Sequence, residues 1–274
     1  MAAACGSGSR GGTKGPGSSG STKGPGSSGS ANALTVSIEP YASSNPQRLA
    51  FALADFNGRW IAGPPATLAT KPPGGALGAP MPTALHAEGL PPGRGVYVVE
   101  IPMAAGVWSG VVSIARRPDA RLVWQAVPTP QVVVPGGKAP VTASPTTASP
   151  MGVDPLCTRQ PACPLHTVSL DQALGTGKPV AVMFATPARC QTRYCGPVLD
   201  QLLGLADAYR DRVQLIHVEI YKDSTSDALV PTVEQWKLGG EPWMFGIDRT
   251  GTVAGRLDGA MGTDEVRALL DKIA

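Results

Sequence analysis

The sequence predicts an all-β sandwich followed by an α/β domain whose central sheet carries helices on both faces. Three observations lead there. Apolar residues alternate with polar ones through 33–126, with no convincing helical spacing among them. A run rich in Pro, Thr, Ser and Ala interrupts the pattern at 127–153. Beyond it, continuous apolar runs alternate with segments of helical spacing, the order that builds a sheet between helices. A chain of 274 residues is long enough for two domains of ~100–200 residues each.

Composition narrows the function classes. Net charge is only +3 and the Lys and Arg residues are scattered, so no nucleic-acid footprint is visible. No apolar run is long enough to cross a membrane. The 34 glycines and 28 prolines are denser in two segments than elsewhere, and the rest reads as ordinary globular protein.

The first of those segments is 1–32. Thr13–Ser21 reads TKGPGSSGS and Thr22–Ser30 repeats it, a composition that forms a flexible, disordered tether rather than a core. Ala2-Ala3-Ala4-Cys5-Gly6-Ser7 resembles the cleavage end of a bacterial lipoprotein signal, where the cysteine after small residues becomes lipidated. The apolar stretch that precedes such a cysteine is missing. Two readings stay open: a lipid anchor at Cys5 that tethers the domains to a membrane, or an alanine-rich start with an incidental thiol.

Residues 33–126 hold the sandwich. Leu34, Val36 and Ile38 alternate with polar residues, as do Leu49, Phe51 and Leu53, and Asn57-Gly58 then signals a turn before Trp60. Tyr97, Val99 and Ile101 follow the same period, then Trp108, Val112 and Ile114. Short strands over roughly 95 residues suit an antiparallel sandwich of immunoglobulin-like size. GVYVVEIPMAAGVWSGVVSI resembles late strands of bacterial immunoglobulin-like accessory domains. No catalytic constellation is visible in this region. Residues 127–153 read as a semi-extended linker that separates the domains.

The last domain, 154–274, starts with an S-x-x-Q capping pattern at Ser169 and Gln172, which predicts a helix over Ser169–Leu174. Val180–Phe184 reads as a strand buried on both faces. Val198, Leu199, Leu202, Leu205, Ala206 and Tyr209 fall at helical spacing. Val213–Tyr221 is a second central strand, and Glu234–Leu238 a short helix. Trp243–Ile247 and Thr252–Leu257 flank Asp248-Arg249-Thr250-Gly251, a hairpin turn with glycine where positive φ is needed. A terminal helix carries Val266, Leu269, Leu270 and Ile273, with Thr263 as N-cap. Any further strand belongs near Pro164–Val168.

This order resembles a thioredoxin fold, from Leu165 to Ala274. The residues that carry the resemblance are PVAVMF, the thiol loop ending at Cys190, GPVLD at Gly196–Asp200, GGEPW at Gly239–Trp243, the hairpin FGIDRTGTVAGRLDG and the last helix. The resemblance implies a cis-proline at Glu241-Pro242 beside the active thiol. It also implies a substrate-peptide groove shaped by Glu241, Pro242, Trp243 and Arg189. Two registers compete. Cys195-Gly196-Pro197 looks like the start of the family's C-G-P-C motif, with Val198 in place of the second cysteine. The other register makes Cys190 the attacking cysteine. The distance from the strand end and the P-x-L-D segment at Pro197–Asp200 favour it.

In that register Cys190 stands at a helix N-terminus, where amide N–H groups and the helix dipole favour a thiolate and Arg189 adds positive charge. Cys195 then serves as the resolving thiol. The spacing departs from the family's C-x-x-C. An i,i+5 pair on a helix has Cα atoms ~8.7 Å apart, beyond bridging range. A Cys190–Cys195 bridge therefore needs part of Gln191–Tyr194 to be non-helical, as a helix starting near Thr192 would allow. Two further departures are Arg189 in place of the usual tryptophan and Met183 in place of a buried carboxylate. Glu241 and His217 are substitutes for that carboxylate by rough position only, and His217 also reads as a core histidine.

Cys157 and Cys163 bracket TRQPA ahead of the domain. Local pairing, as a structural disulfide that clasps the linker end, is the simplest expectation; a relay to the thiol loop is the alternative. Three functions follow. The first is an extracytoplasmic thiol–disulfide oxidoreductase acting on disulfide-containing or dithiol proteins, with no cofactor. The second is a non-catalytic thioredoxin-like binding module with both disulfides structural. The third is copper handling by Cys190, Cys195 and His166, whose spacing matches a ligand set poorly.

Overall fold

A computed structural model describes residues 31–55, 57–190 and 194–274. Cys5 and the repeats of the expected tether lie outside the described residues, as do Gln191, Thr192 and Arg193 of the thiol loop.

The N-terminal region is a β-sandwich. Its strands are β1 (Ala31–Thr35), β2 (Ser43–Asp55), β3 (Ala66–Lys71), β4 (Met81–Pro82), β5 (Ala84–His86), β6 (Val96–Met103), β7 (Gly106–Ile114) and β8 (Ala120–Ala126). Antiparallel pairing gives two four-stranded sheets, β1-β2-β6-β5 and β4-β3-β7-β8. The period-two alternation explains the core. Leu49, Phe51 and Leu53 of β2 meet Leu68, Trp108, Leu122 and Trp124 of the facing sheet. Trp108 and Trp124 stack inside with ring centroids 5.7 Å apart. The opposite face of β2 is covered too: Ala50, with Val96 and Val98, packs against Tyr194 and Ala260 of the C-terminal domain.

That domain runs α1 (Leu170–Leu174), β9 (Val180–Phe184), α2 (Cys195–Tyr209), β10 (Gln214–Val218), α3 (Pro231–Gln235), β11 (Trp243–Ile247), β12 (Val253–Asp258) and α4 (Thr263–Ile273). The sheet order is β10-β9-β11-β12. β9 and β10 are parallel, and β11 is antiparallel to both β9 and β12. All five residues of β9 are buried. Ala181 and Met183 face α2 and α4, while Val180, Val182 and Phe184 face Trp236 and Phe245. The hairpin turn places Gly251 at φ 76°, as its position requires.

Some elements differ from the expectation. No strand forms at Pro164–Val168 among the described residues. Pro164 has no N–H to give, and one bond, from the His217 amide to the Leu165 carbonyl (3.0 Å), stands in for a ladder. The helix expected over Glu234–Leu238 starts earlier, with Pro231 in its first turn. Gly262 rather than Thr263 is the N-cap of α4, and the Glu265 carboxylate accepts its N–H at 3.1 Å.

Segment 127–153 is not a free spacer. Val132, Ala139 and Val153 are buried in the core beneath α1 and α3. Its polar residues are bound as well: Thr232 Oγ1 donates to the Ala143 carbonyl (2.7 Å), and Trp236 Nε1 donates to Thr142 Oγ1 (3.1 Å). Compositional reading takes Pro, Ser and Thr for a linker because it cannot see the partners those residues meet.

Candidate thiol site and a neighbouring Cys2His2 cluster

β9 ends at Phe184 and leads into a loop that is held from below. The Thr186 N–H donates to a Glu241 carboxylate oxygen (2.7 Å), and the Cys190 N–H donates to the Thr186 carbonyl (3.1 Å). The loop carries Cys190 to a disulfide with Cys195, Cα to Cα 5.9 Å. This distance is within bridging range, and α2 begins at Cys195 itself. The helix thus starts at Cys195 and not at Cys190 or near Thr192, and Cys190 stands ahead of its N-terminus. The electrostatic consequence expected for Cys190 survives by another route. The Cys195 N–H, at the start of α2, donates to Cys190 Sγ at 3.3 Å. The Cys190 sulfur thus sits at the N-terminal end of α2, and Tyr194, the N-cap residue, makes no side-chain capping bond of its own.

Glu241 completes this site. Its carboxylate lies within 4.8 Å of both sulfurs. Burial pushes its carboxyl up to about 7, against the lowering effect of the Thr186 N–H and Arg189, with Glu219 adding to the rise. A buried carboxyl at that value exchanges protons near neutrality. Where β9 carries Met183, the carboxylate near the sulfurs comes instead from Glu241, two residues ahead of β11. The Glu241–Pro242 bond is cis, as the resemblance implies.

The other two residues expected at the groove lie as follows. Trp243 is fully buried, stacked on Phe245 at 5.8 Å, and cannot touch a substrate. Arg189 turns its guanidinium to the 223–227 loop, bonding the Asp223 and Ser226 carbonyls and Asp227, and lies over the Tyr221 ring.

Cys157 and Cys163 do not form the expected clasp; both are free thiols, and both are buried. Their sulfurs turn instead to two imidazoles. Cys163 Sγ lies 3.3 Å from His166 Nε2 and 3.4 Å from His217 Nδ1. Cys157 Sγ lies 3.8 Å from His217 Nδ1, and the two imidazole nitrogens are 3.1 Å apart. His217 Nε2 donates to the Ala185 carbonyl (2.9 Å), which leaves the Nδ1 lone pair of a neutral ring facing the sulfurs. The contact with Cys163 holds the Cys157 thiol well below its ordinary range, while the same contact and burial push Cys163 up. His166 is thus grouped with the second cysteine pair and not with Cys190 and Cys195 as the copper reading required. The sequence signal for the cluster is C-x5-C-x2-H in CTRQPACPLH, together with a histidine in a buried strand.

A cleft of about 1140 Å³ lies elsewhere, between the domains beside Arg48 and Arg256, and none of the four cysteines lines it.

A family model described as a thioredoxin-like domain matches residues 167–274. This domain is thioredoxin-like. Among solved structures, a Chlorobium tepidum protein assigned as the thiol:disulfide interchange protein DsbE is 19% identical. That match covers 50% of this chain and 97% of that one, with a TM-score of 0.35. A conjugative transposon lipoprotein from Bacteroides eggerthii DSM 20697 is 11% identical, covering 34% and 95% respectively, with a TM-score of 0.18. No curated protein matches the chain.

Proposed function

We propose that the thioredoxin-like domain is an extracytoplasmic thiol–disulfide oxidoreductase acting on protein thiols or disulfides. The observation that carries this reading is the Cys190–Cys195 pair at the end of β9, with the Glu241 carboxylate within 4.8 Å of both sulfurs. Cys190 is the attacking sulfur: it is the more exposed of the two, at 9% against 0% for Cys195. Its thiolate is favoured by the Cys195 N–H at the start of α2.

In the reductive direction the Cys190 thiolate attacks one sulfur of a substrate disulfide. The S–S bond breaks, a mixed disulfide forms, and the departing substrate thiolate takes up a proton. Cys195 then gives its proton to Glu241, and its thiolate attacks Cys190 Sγ. The second substrate thiol leaves, and the enzyme keeps the Cys190–Cys195 disulfide. Two electrons have passed from the enzyme dithiol to the substrate. The oxidative direction is the reverse sequence.

The Cys190–Cys195 disulfide supports an extracytoplasmic setting. Cys5, followed by the repeat tether, is proposed as the lipid anchor that holds the domains near a membrane. No described helix is long and apolar enough to cross one.

Near-complete burial of both sulfurs supports the second reading, a binding module with a structural Cys190–Cys195 bridge. Equilibration of the pair against glutathione and an insulin-reduction assay separate the two. An oxidoreductase turns over, loses activity in Cys190→Ser and accumulates mixed disulfides in Cys195→Ser. A potential below roughly −300 mV without turnover would establish the structural bridge.

A further inference from the structure

We infer that Cys157, Cys163, His166 and His217 form a structural zinc site, separate from the thiol pair. The four donor atoms all lie within 4.8 Å of one another, and all four residues are buried. A tetrahedral Zn2+ site with Zn–S ~2.3 Å and Zn–N ~2.05 Å has edges of ~3.3 Å between nitrogens and ~3.5 Å between sulfur and nitrogen. The edges here are 3.1 Å between the imidazole nitrogens and 3.3, 3.4 and 3.8 Å between sulfur and nitrogen. These four edges match those an ion would impose, and the sulfur–sulfur and Cys157–His166 edges lie within 4.8 Å.

The donor chemistry agrees. Two sulfurs and two imidazoles in a tetrahedron suit zinc. The Ala185 carbonyl fixes the His217 ring and turns its Nδ1 lone pair inward, the usual support for a ligating histidine. With four protein donors and no exposed face the site is closed, which makes it structural rather than catalytic.

Its place in the fold gives it a task. Cys157, Cys163 and His166 come from the irregular segment before α1, which lacks the ladder of a strand, and His217 comes from β10 at the edge of the sheet. The ion would tie that segment to the sheet. Next to it, Thr158 Oγ1 accepts the Ala188 N–H (3.2 Å), so the same segment supports the loop that presents Cys190.

The test uses the full chain, purified under reducing conditions, dialysed against metal-free buffer and examined by elemental analysis. The expected result is about one zinc per chain, released when a mercurial titrates the thiols, and replaceable by Co2+ with a thiolate charge-transfer band and the intense visible bands of a tetrahedral ion. Cys157→Ser and His217→Gln should lose the metal, while Cys190→Ser/Cys195→Ser keeps it whether or not the chain is an oxidoreductase. The wild-type measurements decide the matter even where a variant fails to fold. Metal-free protein whose peptide map contains a Cys157–Cys163 disulfide would overturn the inference. So would retention of copper in place of zinc, or loss of the metal from the Cys190/Cys195 double variant.

Discussion

At the scale of single residues, Glu241 is the buried carboxyl within reach of both sulfurs, and the expected pH behaviour of the thiol pair follows from it. The groups around it are the two sulfurs, Glu219, Arg189 and the Thr186 amide, and burial outweighs the lowering effects among them. As an acid raised to about 7, it is a proton donor below that pH and an acceptor above it. We expect wild-type exchange with a model disulfide to rise through an inflection near pH 7. Glu241→Gln should remove that inflection and lower the rate at pH 8 by roughly 10²-fold or more, measured by stopped-flow. The stability sign is opposite. Between an ordinary carboxyl value of 4.5 and about 7 the folded state holds a proton that the unfolded chain has lost, so this residue makes stability fall as pH rises through that window. Glu241→Gln, which keeps an acceptor for Thr186, should therefore gain in Tm over wild type from pH 5 to pH 8. An unchanged inflection in the variant would assign the titration to the thiols.

At the scale of elements, the start of α1 is capped from a distance. Ser169 precedes the helix but makes no side-chain capping bond. Ser144, within the segment that reads as a linker, accepts the Leu170 N–H on its hydroxyl (2.9 Å), and its own N–H donates to Ser169 Oγ (2.9 Å). Loss of such a cap costs about 1 kcal/mol. Ser144→Ala should lower unfolding stability by about that amount in urea titration; a free spacer would show no change. What was legible in the sequence follows the same division. β9 and β11 were readable to the residue because both are apolar runs bounded by turn residues, as continuous burial demands. The start of α2 was not, because Cys195 depends on the path of the loop before it. Nor was the cluster: His217 reaches His166 across 51 residues, and local pattern carries nothing about such a meeting. Trp243 was misplaced for a related reason, since its motif fixes where it lies along the chain but not the direction its ring takes.

At the scale of the whole molecule, the sandwich and the thioredoxin-like domain are built as one unit. Trp60 and Tyr194 meet edge-on at 5.6 Å, with Arg94 over both rings, so the sandwich buttresses the residue next to Cys195. Gly259 has φ 68° and runs so close to Val36 that a side chain there would collide with its carbonyl. Arg48, from β2, reaches across to Glu265 (2.7 Å) and Asp258 (3.6 Å) and donates to the Asp258 and Ala260 carbonyls (2.8 and 2.7 Å). All three ionised side chains are nearly buried, at 8–10% exposed. Glu265 also caps α4, and Asp258 also accepts the Ile38 and Glu39 amides, so the arginine neutralises carboxylates that the fold uses elsewhere. Removal of one partner from a buried ion pair leaves an uncompensated charge and costs about 3–5 kcal/mol. Arg48→Met should lose stability on that scale in urea titration. It should also open the junction between the domains to limited proteolysis, and Arg48→Met/Glu265→Met should recover part of the loss because one stranded carboxylate is gone. Two domains that merely touch would tolerate Arg48→Met with stability unchanged. One cooperative unit would not, and in that case the thiol reactivity of Cys190 should shift together with the stability.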